Sequence, residues 1–278
     1  MKTKELGYRT YGLELTGPRV PRSAVAILDY YPRSKRLLLS DLMMPQDEES
    51  DLDQSLIEAF HKSLHAQEKN SKNIFVTNAP LSFPPLMAKK MGVSHETIRQ
   101  EIEWMNDLWK RLRPQPRKFL DYVHRPLEIY LRHACPERFA FADAIGSNQI
   151  LLAARMLKLR ESLKTKIFES APRASFHRIA KSLKARTFIL QSYSSLTDGL
   201  EARKDFMHLI QRKVPELFIF EESFEMLVLH IQAFHAFVLA LTGHLLHKEF
   251  CERAPHGFPK KSNWLLLPKQ VIDWERVI

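Results

Sequence analysis

The sequence contains few of the residues on which several protein classes depend. Its 278 residues include two cysteines, Cys135 and Cys251, and eight glycines. Two cysteines outside any Cys-x-x-Cys pair do not form a disulfide framework, so we expect a reducing, intracellular compartment, the cytoplasm. The chain has no Gly-x-x-x-x-Gly-Lys loop and no Gly-x-Ser-x-Gly elbow. Nucleotide-binding enzymes and serine hydrolases of the familiar types are therefore disfavoured.

The sequence also lacks an uninterrupted apolar run of membrane-spanning length. Its most apolar stretch, residues 226–246, is interrupted by His230, Gln232, His235 and His244. These interruptions predict one long helix, from about Phe224 to His247, that is buried in a protein core and does not span a membrane. The first residues, MKTKE, show no apolar segment of the secretory type.

Basic residues are in excess. Lysine and arginine number 42 against 32 acidic residues, which gives a formal net charge of +10. Such a balance favours an anionic partner, most commonly nucleic acid, although a protein partner stays open and DNA is not distinguished from RNA. Residues 117–132 interleave basic and aromatic side chains. These either contact a nucleic acid or lie along a helix surface.

The first half of the chain predicts a sheet. Tyr11–Thr16, Ser23–Tyr30 and Arg36–Leu42 are rich in strand-forming residues and are separated by turn sequences, which predicts a three-stranded antiparallel meander. An acidic run at 46–53 precedes an amphipathic pattern and favours a solvated helix start over a metal site. Asn73–Thr77 predicts a fourth strand, placed parallel to the first by the crossover.

The remainder predicts mostly helices. The helical periodicities lie at Ser94–Leu112, Ser147–Leu163 (capped by Ser147 or Asn148), Ala174–Ala185 and Leu200–Arg212. A short strand is expected within 165–172, and a last strand or extended segment within 257–268. We therefore predict a single α/β domain, residues 1–278, with a mixed sheet flanked by helices and a helical insertion at about 86–163.

One carboxylate stands out in the first predicted strand. Glu14 lies within Tyr11–Gly17, a largely apolar stretch with a glycine at each side. A buried carboxylate needs a metal ion or hydrogen-bond donors. Either Glu14 lies on a solvated strand face, or it marks a functional site.

Several segments together resemble an uncharacterised family of predicted nucleases with an RNase H-like fold. Gly12-Leu13-Glu14 resembles the family's opening Gly-Ile-Asp, and Asn78-Ala79-Pro80-Leu81 resembles its Asp-x-Pro-Leu. The other matching segments are 168–172 (Glu-x-x-Pro), 234–243 (the Asp-Ala helix), and 257–259 with Trp264 and Pro268 (the closing Trp-x-x-x-Pro). These segments follow the family's order over nearly the whole chain.

The resemblance implies metal-dependent phosphodiester hydrolysis. In such a site, carboxylates hold two divalent cations, Mg²⁺ or Mn²⁺, that activate water and stabilise the leaving oxygen. Glu14 and Glu169 are then the expected metal ligands. His235 is a third ligand or a proton-transfer group, and Asn78 is a polar contact to substrate or metal-bound water.

The departures from the family's pattern suggest an alternative. Glu14 replaces an aspartate, while the neutral Asn78 and His235 stand where the family has acids. Two carboxylates neutralise two hard cations poorly, so either one softer cation binds, such as Mn²⁺ or Zn²⁺, or the site is degenerate. The alternative function is a catalytically inactive RNase H-like protein that binds nucleic acid or acts as a scaffold.

The late histidines permit a further interpretation. His244, His247 and Cys251 stand at helical spacings that allow shared zinc ligation. Histidines in the core or at a helix end are the favoured interpretation, because no second ligand pair at a known zinc-finger spacing is present.

Overall fold

The fold is described from a computed structural model. The structure describes residues 6–17, 23–44, 57–58, 73–112, 119–137, 141–146, 149–163 and 166–278. The acidic run at 46–53 and the predicted caps Ser147 and Asn148 lie outside these residues.

Six strands form one mixed sheet. They are β1 (Tyr8–Glu14), β2 (Ala24–Tyr31), β3 (Arg36–Met43), β4 (Ile74–Thr77), β5 (Ile167–Glu169) and β6 (Leu217–Phe218). Their order across the sheet is β5-β4-β1-β2-β3-β6. The first three strands pair antiparallel, while β4 runs parallel to β1 and β5 runs parallel to β4. The predicted meander, the parallel fourth strand and the mixed α/β class are therefore confirmed.

Ten helices of the described residues surround this sheet. Four lie between β4 and β5: α1 (Pro85–Lys90), α2 (His95–Arg111), α3 (Pro126–Ala134) and α4 (Gln149–Leu163). After β5 come α5 (Pro172–Ser182), α6 (Thr187–Ser192) and α7 (Gly199–Lys213), and after β6 come α8 (Glu221–Leu229), α9 (Ile231–His247) and α10 (Trp274–Val277). The cap of α2 explains its start, because the Ser94 hydroxyl accepts a hydrogen bond from the Thr97 N–H.

The prediction of one long helix from Phe224 to His247 is wrong. His230 is extended, with φ −113° and ψ 114°, and it separates α8 from α9, whose axes differ by 114°. Apolar residues continue through the break because both helices are partly buried, so composition does not reveal the change of direction. In the described residues no single helix is long and apolar enough to span a membrane, and α8 and α9 satisfy that test only as a bent pair.

The segment 257–268, predicted as a last strand or an extended segment, forms no regular strand. Isolated bridges, Ser170 to Leu266 and Cys251 to Pro268, are the pairing that this region makes. The apolar residues that suggested a strand pack instead into a small cluster with α2 and α3, which contains Phe258, Leu265 and Leu267. Tertiary packing thus explains the pattern better than strand pairing.

The two faces of the sheet are covered by different elements. One face packs against α5, α7 and α9, and most of α9 is buried there. The other face packs against α4 through Leu152, Met156 and Leu159. β1 is therefore central in both directions, with a neighbour strand at each edge and a helical layer on each face. Side chains at the carboxyl end of β1 consequently lie in a largely buried environment.

Gly12 determines how closely α9 approaches the sheet. A Cβ atom at this position would lie 2.0 Å from the Ala236 carbonyl oxygen and 2.4 Å from the Ala240 nitrogen. Thr10, on the same strand face, donates its hydroxyl to the Ala240 carbonyl at 2.9 Å. The absent side chain thus allows backbone contact between β1 and α9, and it brings His235, next to Ala236, to the end of β1.

We expect Gly12→Ala to lower the free energy of unfolding by about 3 kcal/mol, because α9 must move away from β1. The matched control is Gly146→Ala, where the nearest atom to the added Cβ is 3.3 Å away, and which should cost less than about 1 kcal/mol. Urea denaturation of both variants measures the difference, and equal midpoints would contradict the close packing.

His244 is fully buried on α9 and is held neutral. Its Nε2–H donates to the Val277 carbonyl at 2.9 Å, and its Nδ1 accepts from the Tyr8 hydroxyl at 3.0 Å. Burial lowers the pKa of His244 from 6.5 to about 3. Since the unfolded chain binds this proton below pH 6.5 and the folded chain does not, stability falls as the pH decreases through that window.

His244→Gln should therefore be less sensitive to acid than the wild type. Between pH 6.5 and 3 the wild type should lose up to about 1.4 kcal/mol per pH unit through this residue, and the variant should lack that contribution. Denaturant midpoints measured from pH 7 to pH 4 test this, with the exposed His256→Gln as the control. A parallel pH dependence in wild type and His244→Gln would contradict the assignment.

Candidate functional site

A cavity of about 270 Å³ lies at the carboxyl ends of β1, β4 and β5. The predicted site residues Glu14, Asn78, Glu169 and His235 all contribute to its lining. The structure thus brings the four residues together around one cavity. Ligands commonly bind outside the carboxyl ends of parallel strands, so this cavity is the candidate site.

The two predicted carboxylates approach the cavity from opposite faces of the sheet. Leu13, Thr77 and Glu169 lie in register across β1, β4 and β5, so their side chains point to the same face. Glu14 follows Leu13 and points to the other face, toward α9. Glu14 and Glu169 therefore have different neighbouring residues.

Glu14 contacts His235. The Glu14 Oε1 and the His235 Nδ1 are 3.2 Å apart, and Glu14 is 8% exposed. Among the described residues, the other polar atom of each side chain, Glu14 Oε2 and His235 Nε2, has no hydrogen-bond partner although both atoms are buried. Buried polar atoms are usually satisfied, so the contact between Glu14 and His235 leaves one buried polar atom of each side chain unsatisfied.

Asn78 is engaged with the backbone of Leu15. Its Oδ1 accepts from the Leu15 N–H at 2.8 Å, and its Nδ2 donates to the Leu15 carbonyl at 2.9 Å. The amide continues the pairing of β4 with β1 beyond the end of the strands. This role needs both a donor and an acceptor, which explains why an amide fits here better than an acid.

Glu169 is paired with a buried arginine. Arg125 donates from both terminal nitrogens to the two oxygens of Glu169, each at 2.8 Å, and the Leu81 N–H donates to Oε2 at 2.8 Å. The Arg125 Nε donates to Glu128 Oε1 at 2.7 Å. One guanidinium therefore binds two carboxylates in a geometry that favours bidentate pairing.

The environment of Arg125 fixes its charge. Arg125 is 2% exposed, and burial alone would lower its pKa. The charges and hydrogen bonds of Glu169 and Glu128 outweigh this effect and raise the pKa of Arg125 above its usual range. A buried ion pair of this kind is costly to break, because the partner left behind is an uncompensated charge. Glu169 is therefore held as an internal ion-pair partner.

The residues present do not fit a pair of divalent cations. Glu169 and Asn78 use their polar atoms within the protein, and the buried Glu14 Oε2 has no hydrogen-bond partner in the part of the chain that the structure describes. In the described ranges, no group of three or more His, Cys, Asp or Glu side chains is arranged to hold a metal ion. Hard cations require several oxygen ligands, and the donor set around Glu14 does not supply them.

The late histidines and Cys251 are likewise engaged elsewhere. Both ring nitrogens of His244 make the hydrogen bonds described above, and His247 stacks on Tyr8 with ring centroids 3.7 Å apart. Cys251 is buried and donates to the Thr242 carbonyl at 3.5 Å, and burial raises the pKa of its thiol. The zinc interpretation therefore has no support among the described residues.

Three further arginines lie near the carboxyl ends of β1, β4 and β5, and one of them, Arg173, lines the cavity. Arg155 donates to the Thr16 carbonyl beyond β1, and Arg160 donates to the Leu81 carbonyl beyond β4 at 3.4 Å. Arg173 follows β5 and lines the cavity itself. We call Arg155, Arg160 and Arg173 the arginine rim, since each follows or contacts the carboxyl end of a parallel strand. The rim places positive charge outside the carboxylates.

The sequence alone does not identify Arg125, Glu128 or Arg173 as site residues. Arg125 lies within the basic and aromatic stretch 117–132, yet it is among the most buried side chains of the described residues. The sequence does contain a helix-start pattern at this point. Pro126 suits the first helical position, and Glu128, three residues after Arg125, has the spacing at which an acid accepts a hydrogen bond from the backbone N–H that precedes the helix. The Glu128 Oε2 indeed accepts from the Arg125 N–H at 2.8 Å.

Comparison of the chain with protein-family models, with curated proteins and with solved structures gave no match.

Asn78→Asp tests whether an acid is tolerated where the resemblance would place one. The change removes the donor to the Leu15 carbonyl and sets two acceptors against each other, so we expect a loss of about 2 kcal/mol in unfolding free energy. Asn106→Asp, on a half-buried position of α2, is the matched control and should stay within about 0.5 kcal/mol of wild type. An unchanged midpoint for Asn78→Asp, measured in urea, would show that the amide pairing is unimportant.

Proposed function

We propose that this protein is an RNase H-like module that binds nucleic acid without hydrolysing it. The strand order β3-β2-β1-β4-β5, with an antiparallel meander and two parallel strands, supports the RNase H-like interpretation. We therefore favour the catalytically inactive alternative, which follows from Asn78 and His235 standing where the family has acids. The resemblance to predicted nucleases would then explain why Glu14, Asn78, Glu169 and His235 occupy the positions of that family's site residues.

The observation that carries the proposal is the ion pair between Arg125 and Glu169. A guanidinium occupies both oxygens of the carboxylate that the resemblance assigns to a metal ion. The positive charge that divalent cations would bring is supplied by the protein itself. Arg125 thereby stabilises the site in a form that needs no metal ion.

The arginine rim supports nucleic acid as the partner. Guanidinium groups suit phosphate recognition, and the three rim residues lie near the carboxyl ends of the parallel strands, with Arg173 lining the cavity. The net charge of +10 adds a long-range attraction for a polyanion. A phosphate backbone that contacts Arg173 would lie next to the cavity.

The second candidate is the metal-dependent nuclease that the resemblance implies, with Mg²⁺ or Mn²⁺. The observation that favours it is Glu14, which contacts His235 and whose Oε2 has no hydrogen-bond partner among the described residues. It is the weaker candidate, because this pair offers fewer hard ligands than two cations need.

Fluorescence anisotropy with labelled DNA and RNA tests the binding proposal. We expect the affinity to fall steeply with salt, and the slope of log K against log[salt] to decrease by up to about 0.9 per lost duplex phosphate contact when rim residues are replaced. The test variant is Arg155→Gln/Arg160→Gln/Arg173→Gln. The control is Lys204→Gln/Arg212→Gln/Lys213→Gln, which removes the same charge from α7. Equal slopes for the two triple variants, or no binding at low salt, would contradict the proposal.

The same oligonucleotides, incubated with Mg²⁺ and then Mn²⁺, separate the two candidates. We expect no cleavage, and no Glu14-dependent increase in melting temperature with either metal ion. Cleavage by the wild type that disappears in Glu14→Gln would overturn the non-catalytic proposal and establish the nuclease.

A further inference from the structure

Another cavity, of about 470 Å³, lies against β6 at the edge of the sheet, and we call it the edge cavity. Its lining includes Tyr31, the last residue of β2, and Arg36, the first residue of β3. Tyr30 pairs with Tyr8 at the start of β1, whereas the candidate site lies at the end of that strand. With about 3.4 Å per residue along β1 and about 4.8 Å between strands, the two cavities lie roughly 25 Å apart. The edge cavity is therefore a separate site.

The strand register places four of the lining side chains on one face of the sheet. Tyr31 pairs with Arg36, and Leu38 pairs with Phe218. Because side chains alternate along a strand, Arg36 and Leu38 point to the same face, and the residues paired with them point the same way. All four side chains line the edge cavity. The wall of this cavity is therefore a patch of sheet surface that carries aromatic, aliphatic and cationic groups side by side.

Two phenylalanines of the edge cavity are accessible to solvent. Phe218 is 44% exposed and Phe220 is 63% exposed. Phe220 has an extended backbone, with φ −67° and ψ 153°, so its side chain lies on the same side of the chain as that of Phe218. Single exposed apolar side chains are common, but here both rings and Tyr31 line one cavity. A flat, ring-shaped ligand can stack on such a lining.

Arg36 adds a cation to these rings. Its guanidinium carbon lies 4.9 Å from the centroid of the Phe218 ring. Among the described residues, Arg36 has no carboxylate partner and no acid lines the edge cavity. A guanidinium that stacks on a ring keeps its N–H edges available for an anion. The preceding turn carries Arg33 and Lys35, both exposed, so positive charge continues beyond the cavity.

We propose that the edge cavity binds an unpaired base of a single-stranded nucleic acid, with the base stacked on Phe218 and Phe220 and its phosphate on Arg36. This inference rests on the proposed function and adds a second contact to the strand that meets the arginine rim. In a duplex both faces of each base are covered by neighbouring bases, so a base can enter the cavity only when it is unpaired and unstacked. The protein therefore prefers single strands.

The size and charge of the edge cavity agree with this ligand. Ligand-binding cavities commonly measure about 300–1,000 Å³, and 470 Å³ admits one base with its sugar. A nucleotide combines a flat ring with an adjacent anion, as the aromatic lining and Arg36 require. The exposed Arg33 and Lys35 extend the positive charge past a single phosphate, which favours a strand with further phosphates over a free mononucleotide.

Fluorescence anisotropy with the full-length chain tests the proposal. The probe is a labelled strand of about 20 nucleotides, long enough for both sites, used alone and annealed to its complement, as DNA and as RNA. We expect the single strand to bind about tenfold more tightly than the duplex, the effect typical of stacking one base. The same strand made with abasic sites keeps its phosphates but has no base to stack, so it should lose this tenfold advantage.

Variants of the two phenylalanines connect this preference to the edge cavity. Phe218→Ala and Phe220→Ala should each weaken single-strand binding by about tenfold and leave duplex binding within about twofold of wild type. The control is Leu229→Ala, which removes an exposed apolar side chain from α8 and should change neither affinity. Melting temperatures near that of wild type show that the variants are folded. Phe220, the more exposed ring, provides the test if Phe218→Ala is unstable.

A variant of Arg36 tests the phosphate contact. Arg36→Gln should lower the slope of log K against log[salt] for the single strand by about 0.7, the value for one phosphate contact. The control is Arg253→Gln, which removes an exposed arginine elsewhere and should leave the slope unchanged.

The outcomes distinguish the two proposals. Equal affinity for the single strand and the duplex, with a steep salt dependence, overturns the base-binding site and leaves the nucleic-acid-binding function intact. Absence of binding to every oligonucleotide at low salt overturns both. A single-strand preference that survives in Phe218→Ala, Phe220→Ala and Arg36→Gln places the recognition elsewhere and overturns this assignment. Adenosine or uridine monophosphate that displaces the strand at an equal nucleotide concentration shows a site for free nucleotides and overturns it as well.

Discussion

The site depends on how three carboxylates coexist around one largely buried cavity. Carboxylates in a low dielectric repel one another and need positive charge nearby. Arg125 supplies that charge to two of them, Glu128 and Glu169, with hydrogen bonds at 2.7 and 2.8 Å. Glu14 is the carboxylate left outside this pairing, and it contacts His235 instead. The cavity is therefore lined by two carboxylates that are hydrogen-bonded to Arg125 and by a third, Glu14, whose Oε2 has no partner among the described residues.

Much of the fold followed from local patterns in the sequence. Alternating polarity and turn residues identified the three-stranded meander, and Ser94 with its apolar periodicity located α2 closely. The break at His230 was not predictable in this way, because burial on both sides of it keeps the composition apolar. For the segment 257–268 the sequence left a strand and an extended segment open, because apolar residues packed on helices and apolar residues in a strand look alike.

For the candidate site, the sequence indicated which residues converge but not what they do. Glu14, Asn78, Glu169 and His235 line one cavity, as their positions at strand ends and on a late helix suggested. Their partners were hidden, because Arg125 lies 44 residues before Glu169 and belongs to a stretch rich in basic and aromatic residues. No local sequence pattern predicts the bidentate pairing of Arg125 with Glu169 or the hydrogen bonds of Asn78 to the Leu15 backbone. Both depend on the register between elements that are distant in the sequence.

The close packing of α9 on β1 has a consequence for folding. Thr10 and Ala240, which share a hydrogen bond, are separated by 230 positions. Contacts between such distant positions form late and slow the search for the native state. During synthesis, at about 5–20 residues per second, one face of the amino-terminal sheet has no α9 to cover it until nearly the entire chain has been made. The growing chain therefore exposes an apolar surface for many seconds, and its yield in the cell should depend on chaperones that shield this face.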